Sequence, residues 1–458
     1  MLDIDLLQIS DTSTINDAFR QLNANKAGIL FVVDASAKVI GTVTDGDLRR
    51  HLLENSDTES TIHACMHRNF VSVPQDAPRE QVLKLLDHRI RLVPALDARG
   101  RLRDVFTRER FALESERRVF TRSRAPVRIS FGGGGTDLTH HFVEHGSVVM
   151  NAAIQIFSHA TLRKTDDGSV RIYSHDLQSE VTATTVKDID YDGRHDLIVS
   201  VVRLIDPPFG FELQIGSDYP IGSGLGGSAV AAAAVIGCFN QFREDRWDKH
   251  QIAEMAFQAE RLQLNIPGGW QDQYATVFGG FNFMEFTNDH NTILPLRLER
   301  DVLRELEASL LLCYTGHNHD SGEMHRRQPA AEDSEIDALA FAEASKELTL
   351  EMKRLLLRGR LLEYGHLLHR SWTLKRQFSP HATSPTIDSI YETARENGAL
   401  GGRLLGAGGG GYFLFFAQPF SRYRLLQALH REGLETRQVL FDNDGLQSWT
   451  VRAEDRVP

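Results

Sequence analysis

Glu260 and Asp272 stand twelve positions apart in the segment AERLQLNIPGGWQDQYATVFGGFNF, residues 259–283. Glu260 lies near the end of a helical run, EMAFQAERL. A tight Ile-Pro-Gly-Gly turn follows, then WQDQY opens a new element, so the turn can fold both carboxylates onto one site. A carboxylate so placed can accept or orient a hydroxyl proton, whereas a lone Asp or Glu is ordinarily a solvated or capping charge. What the pair would act on depends on the glycine-rich stretches around it. Residues 220–237 read PIGSGLGGSAVAAAAVIG and contain a literal G-x-G-x-x-G at Gly222, Gly224 and Gly227. Three readings are open: a dinucleotide-binding turn, a phosphate loop of another kind, or a hinge before a helix. Small residues let backbone wrap an anion, and the N-terminus of the following helix meets its negative charge.

The dinucleotide reading needs an acidic residue closing a strand about 20 residues on. Counting forward reaches NQFREDRW (240–247), where Glu244 and Asp245 have polar surroundings and no strand pattern. Two further glycine stations flank this loop: RAPVRISFGGGGTDL (124–138), a β-like run breaking into glycines, and GGRLLGAGGGGYFLFF (401–416), glycines followed by an apolar aromatic strand. The Walker A pattern G-x-x-x-x-G-K-[ST] is absent, which argues against a P-loop fold.

The elements ahead of these stations repeat. FVVDASAKVIGTVTDGDLRR (31–50) matches PALDARGRLRDVFTRERF (94–111), with Asp34, Gly41 and Thr44 aligning at one offset with Asp97, Asp104 and Thr107. A helical pattern precedes each copy; Val82, Leu85 and Leu86 fall on one face of the second. Each copy therefore reads helix–strand–turn–strand–helix. Residues 112–124, ALESERRVFTRSR, carry no strand pattern and read as a linker or the end of a bridging helix.

With 458 residues the chain has length for two or three domains. A net charge of −11 argues against a general nucleic-acid binder, which needs a basic face. The three cysteines share no C-x-x-C spacing and no H-E-x-x-H occurs, so neither a disulfide framework nor a zinc site is expected. The acidic N-terminus lacks a signal-peptide pattern and no apolar run reaches about 18 residues, so a cytoplasmic protein with no membrane partner is expected.

The repeat, with GTVTDGDLRR (41–50), resembles a tandem CBS module, also called a Bateman domain. The resemblance implies an α/β module over 1–118 that binds an adenine nucleotide or nucleotide-sugar, with Thr44 and Asp47 on its phosphate and ribose. The alternative is that both residues only cap the helix that follows. The second copy departs from the pattern, with Asp104 in place of the glycine and Arg110 where Asp47 stands in the first. CBS pairs commonly associate, which implies a homo-oligomer.

The three ordered stations resemble the GHMP kinase family over about 120–450. The implied fold is α+β: a half resembling ribosomal protein S5 domain 2 over 119–300, which binds ATP, and a ferredoxin-like half over 301–458. The family loop P-x-x-x-G-L-G-S-S-A appears here as Pro220, Ile221, Gly222, Ser223, Gly224, Leu225, Gly226, Gly227, Ser228 and Ala229, with Gly227 in place of one serine. The resemblance implies that Ser228 and Glu260 hold Mg²⁺ and that Asp272 is the catalytic aspartate, with Arg128 as its cationic partner. It places Asp137, with Gly134, Gly135 and Thr136, on sugar hydroxyls; an Asx-type turn is the alternative for Asp137. Gly408, Gly409 and Arg403 join the acceptor site. FGGGGTDL, LLCYTGHNHDSGEMHRRQ and GALGGRLLGAGGGG look most like the branch that phosphorylates the anomeric hydroxyl of D-glycero-D-manno-heptose 7-phosphate, on the route to nucleotide-activated heptose for bacterial surface polysaccharide. Arg403, Lys375, Arg376 and His317 are candidates for the far phosphate of such a substrate. An L-fucose or related sugar 1-kinase is the runner-up. A non-catalytic nucleotide-sensing regulator, supported only by Gly227, is the reading from another class.

Overall fold

The structure, a computed structural model, describes residues 4–87, 90–108, 119–316 and 332–452. The chain divides into two compact units, residues 1–117 and 118–458.

In the first unit the repeat is explicit. Helix Ile15–Asn25 precedes strands Ile29–Val33 and Val39–Thr44, and helix Asp45–Asn55 follows them. Helix Arg79–Asp87 precedes strands Leu92–Leu96 and Leu102–Thr107. The closing helix of this second copy, with Arg110, lies outside the described residues. Each copy adds a short leading strand, parallel to its neighbour, to make a three-stranded sheet. Asp34 and Asp97 play one role: Oδ1 of Asp34 accepts the N–H groups of Ser36 and Lys38, and Oδ1 of Asp97 those of Arg99 and Arg101. A short polar side chain that bonds its own backbone two residues on is what closes such a turn.

The second unit is built on an eight-stranded sheet around the long strand Ser147–Lys164. A four-stranded antiparallel sheet, in the order 399–404, 412–417, 310–314, 436–438, carries the other half. The alanine-rich helix Gly227–Asn240 packs on the large sheet and against helices Asp196–Ile205, Lys249–Phe257 and Gln271–Phe278. A helix apolar on every side is one surrounded by protein. The alanines satisfy that crowding: Ala232, Ala233 and Ala234 are fully buried.

One expectation is corrected. Residues 119–124 are not linker but the start of strand Val119–Gly132, paired on one side with Ser147–Lys164 and on the other with Gln447–Arg452. Over 119–124 the buried residues are Thr121 and Ser123; the Ser123 hydroxyl donates to the Ala234 carbonyl. Small polar side chains face the core here, so alternation of apolar residues gives no signal. The pairing with Gln447–Arg452 also returns the last described strand to the sheet of the first half. Among the described residues no helix is long and apolar enough to cross a membrane.

Candidate active site

The three stations meet in space. Gly224 has φ +75°, and a Cβ there would stand 2.9 Å from the Leu405 carbonyl oxygen. A Cβ on Gly411 would lie 2.3 Å from the carbonyl oxygen of Ser223. The Tyr412 N–H donates to that same oxygen at 3.2 Å. The second and third stations thus interlock backbone to backbone, a fit that side chains would block.

Arg128 rises from strand Val119–Gly132 and is 4% exposed. Its guanidinium forks onto Asp272, Nε to Oδ1 at 2.8 Å and Nη2 to Oδ2 at 3.0 Å, while Nη1 donates to the Gly224 carbonyl at 2.8 Å. One buried cation therefore ties the carboxylate to the glycine loop; bidentate pairs of this kind are strong and fix orientation.

Glu260 is 1% exposed and sits in a π-helical turn, Gln258–Gln263, that ends the preceding helix. Such turns are rare and frequent at functional sites. Oε1 accepts the Ser228 hydroxyl and faces Arg261 Nη1 at 3.1 Å; Oε2 accepts Gln273 Nε2 at 2.9 Å. Neither Arg261 nor Gln273 figures in the sequence reading, although both neighbour its carboxylates in sequence. A hydroxyl and a carboxylate oxygen converging at a helix mouth form an all-oxygen donor set, which suits Mg²⁺ beside phosphates.

Asp137 is 2% exposed. Both readings of it fit its position: Oδ1 accepts the Gly135 N–H at 3.2 Å, Oδ2 accepts the Gln271 N–H at 3.0 Å, and the residue lines the cavity. Burial pushes its carboxyl above the ordinary range, the Gln271 N–H opposes that, and the Asp272 charge adds to it.

These groups line one open cavity of about 1460 Å³. Gly134, Gly135, Thr136, Gly222, Ser223, Gly226, Gly227, Lys375 and Arg403 line it as well. Pro220, Leu225, Gly408 and Gly409 do not; Leu225 is core, and Gly409 donates its N–H to Ala382. Arg403, Gly406 and Ala407 are the residues of the third station at the cavity. Arg376 is paired with Asp388 at 2.9 Å, away from the lining, and His317 lies outside the described residues. Arg403 Nη1 donates to the Phe131 carbonyl at 2.7 Å, and Lys375 Nζ to that of Gly406 at 2.6 Å. Burial, with Arg403 and Arg128 nearby, holds the Lys375 ammonium well below its usual pKa.

Gly227 has a structural explanation. A Cβ there would stand 2.6 Å from Tyr219 Cε2, and the Tyr219 hydroxyl donates to the Gly227 carbonyl at 3.1 Å. The ring occupies the space a serine side chain would take, so restoring serine is expected to harm. Overpacking of this kind costs about 1–3 kcal/mol. Gly227→Ser should lower the melting temperature and raise KM for ATP, and Tyr219→Leu in the same chain should recover part of both. A Gly227→Ser protein with unchanged melting and KM would refute this account.

In the first unit, Asp47 Oδ2 accepts the Thr44 N–H at 2.9 Å and its hydroxyl at 2.6 Å, which is the capping geometry. Oδ1 meets Arg50 Nη2 at 2.6 Å and His67 Nε2 at 2.9 Å.

Comparison with known proteins agrees with this architecture. The chain matches the GHMP kinases N terminal domain over 196–280, the GHMP kinases C terminal domain over 352–435, and the CBS domain over 2–54 and 61–115. It is 33% identical over 338 residues to D-glycero-alpha-D-manno-heptose 7-phosphate kinase of Campylobacter jejuni, covering 72% of this chain and 99% of that one. It is 27% identical to L-fucokinase/L-fucose-1-P guanylyltransferase of Bacteroides fragilis, covering 67% of this chain and 35% of that protein. The crystal structure of a D-glycero-D-manno-heptose 1-phosphate kinase from Bacteroides thetaiotaomicron superposes with a TM-score of 0.62 at 26% identity, covering 73% of this chain and all of that one.

Proposed function

The chain belongs to the GHMP kinases, as a sugar kinase with two CBS domains ahead of its catalytic unit, and from that premise we propose that it uses ATP and Mg²⁺ to phosphorylate the anomeric hydroxyl of D-glycero-D-manno-heptose 7-phosphate. The product is the 1,7-bisphosphate. The observation that carries this reading is the Arg128–Asp272 fork anchored on the Gly224 carbonyl of the phosphate loop. The names of the Campylobacter and Bacteroides thetaiotaomicron relatives both give a heptose phosphate, the first a 7-phosphate and the second a 1-phosphate; the heptose is common to both, and the Campylobacter name supports the 7-phosphate.

In this mechanism Asp272 orients the anomeric hydroxyl and takes its proton as the oxygen attacks the γ-phosphorus. The new O–P bond forms while the bond from the γ-phosphorus to the β,γ-bridging oxygen breaks, and ADP carries away that electron pair. Arg128 holds the Asp272 carboxylate in place through its two-pronged contact and offsets charge growing on the phosphoryl oxygens. The N–H groups at the start of helix Gly227–Asn240 meet the phosphates, and Asp137 holds sugar hydroxyls. Ser228 and Glu260 would hold Mg²⁺, which when bound neutralises phosphate charge.

The test is ADP release with heptose 7-phosphate, free heptose, L-fucose and galactose. Heptose 7-phosphate should give the highest kcat/KM. L-fucose above it would favour the fucokinase reading. No turnover on any sugar, by folded protein that binds Mg-ATP, would favour the non-catalytic regulator.

For the CBS unit we propose an adenine nucleotide or nucleotide-sugar at Thr44 and Asp47. Asp47→Ala should abolish the response of the kinase kinetics to that nucleotide, because linkage makes the two sites reciprocal. It also removes the N3 half of the capping box, while Thr44 stays as the N-cap. Kinetics of the full chain with AMP, ADP and a nucleotide-sugar, run on both proteins, check this; an equal response in both would make the site a cap alone.

A further inference from the structure

Of the cations that line the cavity, Arg128 is engaged on Asp272 and Gly224, Arg403 on the Phe131 carbonyl, Lys375 on the Gly406 carbonyl and Arg261 on Glu260, and Arg194 lines it as well. An acceptor that presents its reactive hydroxyl to Asp272 needs another positive group for a phosphate at its opposite end. The short helix Thr139–His145 presents imidazoles for that role. It begins two residues after Asp137 and is pinned by Phe142, which packs on Trp270 and Phe286 at ring distances of 6.4 and 5.7 Å, and by the Trp270 indole N–H, which donates to the Thr139 hydroxyl at 2.9 Å. So held, His140, His141, Glu144 and His145 all line the cavity that holds Asp137 and Asp272.

His141 and His145 lie one turn apart, with ring centroids 5.3 Å from each other, close enough for one anion to meet both imidazoles. Lys346, from helix Glu332–Leu357, adds its positive charge at His141; Glu144, 3.7 Å from His145 Nε2, is the opposing carboxylate. Burial, then His145, His140 and Lys346, lowers the His141 pKa, so a dianion is what would draw a proton onto it. The path along the site is continuous. Asp137 bonds the N–H of Gln271, the residue before Asp272, and the helix that carries His141 begins two residues beyond Asp137.

We propose that His141 and His145, with His140 beside them, form the receptor for the acceptor's distal phosphate; this rests on the heptose 7-phosphate reading. The selectivity of the kinase for a phosphorylated over a free heptose then originates on this helix, not at Arg403 or Lys375.

The experiment compares wild type with His141→Gln/His145→Gln, and with His141→Gln alone should the double variant melt early. The ratio of kcat/KM for heptose 7-phosphate to that for free heptose should fall about tenfold or more, the scale of losing one charge-assisted hydrogen bond, with KM for ATP held. Inorganic phosphate should compete with the acceptor in wild type and lose that effect in the variant. A wild type that prefers the 7-phosphate, with variants that keep the same ratio, overturns the receptor while leaving the substrate reading intact. A wild type with no preference for the phosphorylated sugar overturns both.

Discussion

Asp272→Asn is expected to lower kcat with heptose 7-phosphate by about a thousandfold, within the 10²–10⁴ that a positioned proton acceptor supplies. That factor corresponds to about 4 kcal/mol of barrier. The substitution keeps the shape of the side chain but removes its charge and its basicity. It also turns one arm of the Arg128 fork against a donor, since an amide NH₂ replaces an oxygen that accepts from Nε or Nη2 at 2.8 or 3.0 Å. ATP affinity should hold, because the loop is secured independently by the Gly224 carbonyl on Arg128 Nη1 and by the Ser223 carbonyl on the Tyr412 N–H. Single-turnover ADP release and calorimetric ATP titration separate the two effects. Turnover within tenfold of wild type would remove Asp272 from the mechanism.

Glu260→Gln should act on nucleotide and stability together. Glu260 is almost fully buried, and its charge is balanced by Arg261 at 3.1 Å. Removing one charge of a buried pair costs about 3–5 kcal/mol, and the retained amide hydrogen bonds place this variant at the lower end. The loss of an anionic oxygen beside Ser228 should also raise KM for Mg-ATP by about tenfold or more, the affinity lost with one charged contact. The decisive measurement is the rise in melting temperature on adding Mg-ATP. A ligand stabilises by RT ln(1 + [L]/Kd), so the rise seen in wild type should shrink in the variant. An unchanged rise and unchanged KM would leave Glu260 with the sole task of holding Ser228 and Gln273.

Much of this protein was legible from local pattern. The three glycine stations, the helix after PIGSGLGG, the element break between Glu260 and Asp272, and the doubled Asp34 and Asp97 turns are all written in neighbouring residues, because turn conformation and helix periodicity are set within a few positions. The family membership follows from the order of those signals. Other features required the fold. Strand 119–124 gave no signal because Thr121 and Ser123 face the core, where the Ala234 carbonyl satisfies a hydroxyl. Gly227 looked like a lost serine until the Tyr219 ring was found in the space that side chain would fill. Arg403 and Lys375 read as phosphate ligands by charge alone, yet each donates to a backbone carbonyl at a glycine station. What sequence by itself determined is which residue types stand together at the glycine stations and which local elements present them. What only tertiary structure decided is what each one faces: Arg128 meets Asp272 across 144 positions of chain, and such a pairing depends on how the sheet, the loop and the helix pack, not on any pattern within one of them.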